Sequence, residues 1–329
     1  MTLRILFAIS IALTICSCNN QKVNSQSSVD SIKIQRFDKD LYRLIESNDS
    51  LLQQQIISEY PQMLEILGKA ILNIQDPNSP ILFEKLINFY SEPTLNQLYQ
   101  KSIKVYNSVD DIEKQLEQGF SYLKENIPTL KVPNIYMHVS GFNQNVLVGE
   151  NLLSVSIDKY LGSDLPLYQE FFYDYQRQKM QRSNVAPDYL TGWLISEFPF
   201  KGKENVLLDR MIYEGKIIYL VSQALPEIKP YVLMGYSEDA YNWCKNNEAT
   251  IWKAIIERKH LYTPDLLTTS RYFEDTPSIF LSDDAPGNLG KWIGWKIIDH
   301  YMKETKSTPK KLLEIENAQE ILTAAKYKP

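Results

Sequence analysis

The hydrophobic pattern changes its period twice along this chain, and this change constrains the fold more than any other sequence feature. From Ile32 to about Leu130, apolar residues recur at helical spacing. Between about Lys131 and Asp158 they alternate, Val and Ile are enriched, and glycines mark turns. Helical spacing then returns and continues to about Tyr327. We therefore expect a mostly α protein with one small antiparallel sheet of two or three strands, which is an α+β fold.

The N-terminal residues carry a targeting signal rather than part of the fold. Residues 1–17, MTLRILFAISIALTICS, combine a charged start with an apolar stretch too short to span a bilayer, as is typical of a signal peptide. The sequence ICSC resembles the lipobox of bacterial lipoproteins. This resemblance implies cleavage before Cys18 and acylation of its thiol and new amino group. Cys16 fits less well, because bulky Ile15 would precede the cleavage site.

Lipid on Cys18 would make the membrane a partner of this protein. Residues 18–31 would then form a flexible polar tether, because they show no apolar periodicity. An ordinary secretory signal with incidental cysteines is the alternative. With Cys16 removed and Cys18 acylated, Cys244 would be left without a partner for an intramolecular disulfide. The fold would then depend on packing.

The predicted body divides where the period changes. We expect an N-terminal helical region, residues 32–130, to pack with an α+β region, residues 131–329, as one body. The net charge is −5 and no Lys/Arg cluster lies on one helix face, so nucleic acid is not an expected partner. The sequence contains no HExxH, CxxC, GxSxG or glycine-rich phosphate loop. We therefore expect no metal site and no cofactor.

One carboxylate interrupts an apolar helical pattern. The neighbours of Glu214 at minus seven, minus three, plus four and plus seven are all apolar: Leu207, Met211, Ile218 and Val221. Because an isolated buried charge is costly, Glu214 should be paired, protonated or bound to a metal. Arg210, four residues earlier, is the simplest partner. The alternative roles for Glu214 are a metal ligand and a catalytic acid.

Glycines near this carboxylate indicate close helix packing. Gly215 lies inside the same predicted helix, where Gly costs about 1 kcal/mol relative to Ala, so another part of the structure should approach its backbone closely. Gly290 and Gly294 lie one turn apart in PGNLGKWIGWKIIDHY and predict a second tight contact. Packing alone is the favoured interpretation of these glycines. Three aromatic residues are candidates to line a cleft, although aromatics at helical spacing are more often core residues: Tyr213, Trp292 and Trp295.

Five stretches together are similar to the gliding-motility lipoprotein GldB family. They are the lipobox with Cys18, IQRFDKDLYRL at 34–44, SIDKYLGSDLPLY at 156–168, LLDRMIYEGKIIYL at 207–220 and APGNLGKWIGWKIIDHY at 285–301. The resemblance implies a lipoprotein of the cell envelope. No acidic run follows Cys18, so we expect the protein to face the periplasm. Its expected partners are envelope proteins of the gliding and type IX secretion machinery.

A more distant resemblance is to zinc peptidases of the gluzincin type, which carry HExxH on one helix and a Glu ligand on a later helix. Glu214 would match that ligand, and Glu197 in LISEFPF would match the catalytic glutamate, but Ser196 and Phe200 replace the two histidines. This resemblance implies a degenerate zincin-like core and a non-enzymatic protein. The alternatives are a metal-dependent hydrolase with an unconventional site and a periplasmic lipoprotein that binds a peptide or small ligand in the remaining cleft.

Overall fold

The computed structural model describes residues 31–74, 76 and 78–329. The predicted signal peptide, Cys18 and the predicted tether up to residue 30 lie outside the described residues. Within them the chain forms four β-strands: β1 (Ile34–Gln35), β2 (Asn134–His138), β3 (Val146–Gly149) and β4 (Leu152–Ser156). The first nine α-helices of the described residues are α1 (Phe37–Ser47), α2 (Ser50–Glu59), α3 (Pro61–Leu67), α4 (Pro80–Tyr90), α5 (Pro93–Val105), α6 (Asp110–Asn126), α7 (Pro166–Phe171), α8 (Asp174–Arg177) and α9 (Val185–Glu197). Eight more follow: α10 (Leu207–Ala224), α11 (Pro230–Met234), α12 (Glu238–Asn246), α13 (Glu248–Glu257), α14 (Leu266–Arg271), α15 (Leu289–Thr305), α16 (Pro309–Glu314) and α17 (Ala318–Ala325).

The α+β class predicted from the sequence is confirmed, but the prediction of an antiparallel sheet is wrong. The strand order is β1-β2-β4-β3, and only β3 and β4 pair in antiparallel fashion. β2 runs parallel to β4, and β1 runs parallel to β2. The alternating pattern showed where strands lie but carried no information about their partners. Every residue of β4 is buried, so both faces of this central strand are covered. β1 was missed because two residues are too few to show a period.

One hydrophobic cluster runs from Ile32 to Leu225 and covers the sheet with helices from both sides of residue 130. A second cluster runs from Val206 to Tyr327. α10 contributes to both clusters, so it is the element that joins them. In the described part of the chain, no helix has the length and apolar character needed to cross a membrane.

Two of the stretches that resemble the GldB family contain a buried aspartate with a structural role. Arg36 donates from Nε and Nη2 to the Asp38 carboxylate at 2.8 and 2.6 Å, which ties β1 to the start of α1. Asp158 accepts the backbone N–H groups of Ser140, at 3.1 Å, and Phe142, at 2.8 Å. Burial raises the pKa of both carboxyl groups, and these donors oppose that rise. The two aspartates therefore fix the loops at the ends of the sheet.

Candidate functional site

Five half-buried charged side chains converge between elements of the two hydrophobic clusters, and we call this group the charged cluster: Lys179, Asp188, Glu214, Asp275 and Lys291. Asp188 lies in the first turn of α9, Glu214 in the middle of α10 and Lys291 near the start of α15. Lys179 and Asp275 come from loops. Three carboxylates and two amines therefore meet where α9, α10 and α15 approach one another.

The pair formed by Lys179 and Asp275 separates two cavities. Lys179 Nζ donates to Asp275 Oδ1, and Asn288 Nδ2 donates to the same oxygen at 2.5 Å. Burial alone would raise the pKa of Asp275, but Lys179 and Asn288 outweigh it and hold this pKa below its ordinary value. Both residues line a cavity of about 140 Å³ whose wall also contains Asp188. Both also line a second cavity of about 250 Å³, whose wall contains Asn288.

Asp188 and Lys291 are shifted toward their neutral forms. Tyr160 donates its hydroxyl hydrogen to Asp188 Oδ2 at 2.6 Å, yet burial raises the pKa of Asp188 above its ordinary value. Burial lowers the pKa of Lys291, and attraction to Glu214 opposes that change. Such opposite shifts in neighbouring groups are what desolvation produces when opposite charges share a partly closed space. At Asp188 and Lys291, desolvation therefore outweighs the stabilisation that neighbouring groups supply to the charged forms.

Glu214 has a different partner from the one that its spacing suggested. The Arg210 guanidinium lies 4.3 Å from the centre of the Phe273 ring, and its Nε lies 3.7 Å from Glu204 Oε2. The Lys291 ammonium on α15 attracts Glu214 from beyond ion-pair distance, and this attraction opposes the lowering of the Lys291 pKa by burial. Arg210 points away from Glu214, because it makes a cation–π contact with Phe273 and an ion pair with Glu204. An amine from another helix therefore balances the carboxylate.

Replacing Lys291 with Met should destabilise the protein by about 2 kcal/mol at pH 7, because the half-buried Glu214 carboxylate would lose its compensating charge. Adding Glu214→Gln should recover part of this loss, so the two substitutions should not be additive. Urea unfolding of the two single variants and the double variant measures both the loss of stability and its departure from additivity. Lys303→Met on the same helix is the control, since Lys303 is 70% exposed and pairs with Asp299 on the surface. Equal losses at positions 291 and 303 would contradict the assignment of Lys291 to the cluster.

Glu197 and Glu214, the two positions suggested by the peptidase resemblance, do not share a site. Glu197 is the exposed last residue of α9 and lines a separate cavity of about 140 Å³ together with Tyr213. Glu214 interacts electrostatically with Lys291 instead. Among the residues that the structure describes, no group of three or more His, Cys, Asp or Glu side chains is arranged to hold a metal ion. Adjacent positions on α10 point in different directions, which separates Tyr213 and its cavity from Glu214.

The predicted glycine positions lie at a close helix contact. A Cβ added to Gly215 would lie 2.3 Å from the carbonyl carbon of Gly294, and one added to Gly294 would lie 1.9 Å from the carbonyl oxygen of Met211. A Cβ on Gly290 would instead meet the ring edge of Phe273 at 2.7 Å. α10 and α15 therefore touch through their backbones. This approach brings Lys291 into reach of Glu214.

The two tryptophans among the cleft candidates pack in the second hydrophobic cluster rather than beside Tyr213. The Trp292 ring meets Tyr241 edge-on with 5.1 Å between centroids, and Trp295 meets Trp292 at 5.7 Å. They are packing residues of α15. The structure thus brings Gly215 and Gly294 together, and it keeps Tyr213 apart from both tryptophans.

Sequence reasoning missed most of the charged cluster, which has four members that were not singled out: Lys179, Asp188, Asp275 and Lys291. Asp188 carried a usable signal, because it is the lone charge in the apolar stretch VAPDYLTGWLI. Lys291 carried a weaker one, because it follows Gly290 in the glycine stripe. Lys179 and Asp275 lie in loops, where a charged residue is too common to indicate a site.

The comparisons with known proteins agree with the resemblance seen in the sequence. The profile of the family described as gliding motility protein GldB matches residues 17–329, which is nearly the whole chain. No curated protein and no solved structure matches the chain, so the zincin-like core has no support from known structures. Family membership indicates a lipoprotein of the cell envelope. The extent of the match shows that this chain belongs to the GldB family of gliding-motility lipoproteins.

Proposed function

We propose that this protein is held on a membrane through lipid on Cys18, faces the periplasm, and acts as a non-enzymatic component of the gliding and type IX secretion machinery. The main support for a non-enzymatic role is the electrostatic environment of Glu214, because the Lys291 ammonium attracts this carboxylate. A cation bound beside this carboxylate would have to displace or repel that ammonium. Glu214 and Lys291 then stabilise the contact between α10 and α15 rather than perform a reaction.

The anchoring part of the proposal has separate support. The family match begins at residue 17, one residue before Cys18, so Cys18 lies inside the region that the family shares and Cys16 lies outside it. Several acyl chains on one residue are enough for stable attachment to a bilayer. The body that begins near residue 31 would then work close to the membrane, with other envelope proteins as partners.

Colony spreading of an in-frame deletion strain tests this proposal. We expect the deletion to stop spreading, and wild type and Glu214→Gln to restore it, because Gln keeps the shape of Glu and can hydrogen-bond within the cluster. Cys18→Ser should fail to restore spreading, whereas Cys16→Ser should restore it. Lipid attachment is followed by labelling with a fatty acid, and type IX secretion by the proteins released into the medium.

Three results would contradict parts of this proposal. A Glu214→Gln protein that is stably produced but does not restore spreading would give the carboxylate a chemical role. A labelled Cys18→Ser protein would place the lipid elsewhere. Normal spreading by the deletion strain of a gliding host would remove the motility role from this chain.

A further inference from the structure

The cavity beside Glu197 contains two buried polar groups that the packing does not satisfy. Lys216 of α10 is 7% exposed, and its Nζ donates to the backbone oxygen of Ile315. An ammonium has three N–H bonds, so two remain for another acceptor. The hydroxyl of Tyr213, one turn earlier on the same helix, is buried and has no hydrogen-bond partner. Both residues line this cavity.

The chemistry of these groups favours an anionic ligand. Burial lowers the pKa of Lys216 to about 8, so its amine remains mostly protonated at neutral pH while it is poorly solvated. Burial also raises the pKa of Tyr213 to about 12, which keeps its hydroxyl available as a donor. A buried donor without an acceptor is costly, as at the Tyr213 hydroxyl, and Lys216 has N–H bonds left after its bond to Ile315, so one acceptor group could serve both residues.

The rest of the cavity wall is mainly apolar, with six large side chains: Phe198, Phe200, Ile212, Ile217, Leu313 and Ile315. The volume of about 140 Å³ is close to that of a cavity that accepts a benzene molecule. Two acidic residues at this cavity have other environments, since Asp209 accepts the backbone N–H of Lys203 at 2.9 Å and Glu197 is exposed. Glu316 pairs with Lys201 at 2.8 Å and also attracts the Lys216 ammonium, without a hydrogen bond to it.

A second cavity of about 310 Å³ adjoins the first one. The two share Phe198, Lys201, Leu313 and Glu316 in their walls. A ligand whose end occupies the first cavity therefore has space to continue past the ion pair of Lys201 and Glu316. This arrangement fits a terminal group with more chain behind it.

We propose that this cavity binds a carboxylate carried on an apolar group about as large as a leucine or phenylalanine side chain, with Lys216 and Tyr213 donating hydrogen bonds to the carboxylate. Two sources supply this chemistry: the C-terminal residue of a peptide and a free short-chain carboxylic acid. Both bury an apolar body among the six large side chains and place an anion against the two donors.

Isothermal titration of the full-length protein in a non-ionic detergent tests this proposal with three probes. N-acetyl-leucine represents a peptide terminus, 4-methylpentanoate represents a free acid, and N-acetyl-leucinamide lacks the charge. We expect at least one acid to bind in the millimolar range or tighter, and at least about tenfold more tightly than the amide, because a charged hydrogen bond is lost in the amide. Tighter binding of N-acetyl-leucine identifies the peptide source, and tighter binding of 4-methylpentanoate identifies the free acid.

Substitutions at Lys216 and Tyr213 test whether these two donors bind the carboxylate. Lys216→Met should remove the preference for acid over amide, and Tyr213→Phe, which removes only the hydroxyl, should weaken acid binding by about threefold to tenfold. Tyr219→Phe is the matched control, because Tyr219 is a half-buried tyrosine of α10 that does not line the cavity. Failure of both acids to bind, equal binding of acid and amide, or full acid affinity in correctly folded Tyr213→Phe would each overturn the proposal.

Discussion

Gly294→Ala should destabilise the protein by about 3 kcal/mol, which is the upper part of the range for overpacked sites. The new Cβ would lie 1.9 Å from the carbonyl oxygen of Met211, and a backbone atom cannot rotate aside as a side chain can. The gain in helix propensity from Gly to Ala, about 1 kcal/mol, acts in the opposite direction and is too small to compensate. Urea unfolding followed by circular dichroism measures the difference.

Gly192→Ala provides a matched control inside α9. Its new Cβ would meet only the side chain of Val146, at 2.8 Å, and this side chain can adjust. We expect the free energy of unfolding to change by about 1 kcal/mol or less in this variant. If Gly294→Ala were as stable as Gly192→Ala, α10 and α15 would have to be farther apart than the structure places them.

His138 should make the free energy of unfolding fall as the pH is lowered from 6.5 toward 3, while the raised pKa values of Asp38, Asp158 and Asp188 act in the opposite direction. His138 is fully buried in β2, and burial lowers its pKa from 6.5 to about 3. Above pH 6.5 its neutral form is present in both states and stability is complete. Below pH 6.5 the unfolded chain takes up a proton that the folded protein does not bind, so stability is lost at up to about 1.4 kcal/mol per pH unit.

His138→Gln should therefore give a shallower decrease of stability between pH 6.5 and pH 4.5, measured by urea unfolding at several pH values. Ser154→Ala is the control, because Ser154 Oγ lies 2.7 Å from His138 Nδ1 and its removal leaves the imidazole in place. We expect this variant to be less stable at every pH but to keep the steeper slope. The same slope in wild type and His138→Gln would assign the acid sensitivity to other groups.

The sequence predicted the fold class because the class depends on local periodicity. Prolines mark two of the helix ends: α4 begins at Pro80, and α6 ends at Asn126, two residues before Pro128, because proline fits the first helical turn and cannot continue a helix. The pairing of the strands could not be predicted from local periodicity, because β2 and β4 pair through residues that are distant along the chain. A pattern within one strand does not record which edge its neighbour occupies.

Residues of the candidate site could be predicted from the sequence only where they differ from the hydrophobic pattern around them. Glu214 and Gly215 were found because each is unusual in an apolar helix, and the backbone contact of Gly215 with Gly294 gives the physical reason for the glycine. The partner of Glu214 was not predicted, because Lys291 lies on another helix and reaches Glu214 only when the two glycines meet. Lys216 was also missed, since a lysine that follows a glycine on an amphipathic helix is ordinarily solvated.

β1 gives the protein a defined point of mechanical loading. A pull on the chain ahead of Ser31 reaches the body through β1, which runs parallel to β2 and pairs Ile34 with Ile135 and Gln35 with Tyr136. The N–H of Ile34 is also held by Glu113 of α6 at 2.9 Å. Tension along the strand axis shears these bonds together instead of peeling them one at a time. A force applied to the chain ahead of Ser31 would therefore act on the sheet and on α6 together.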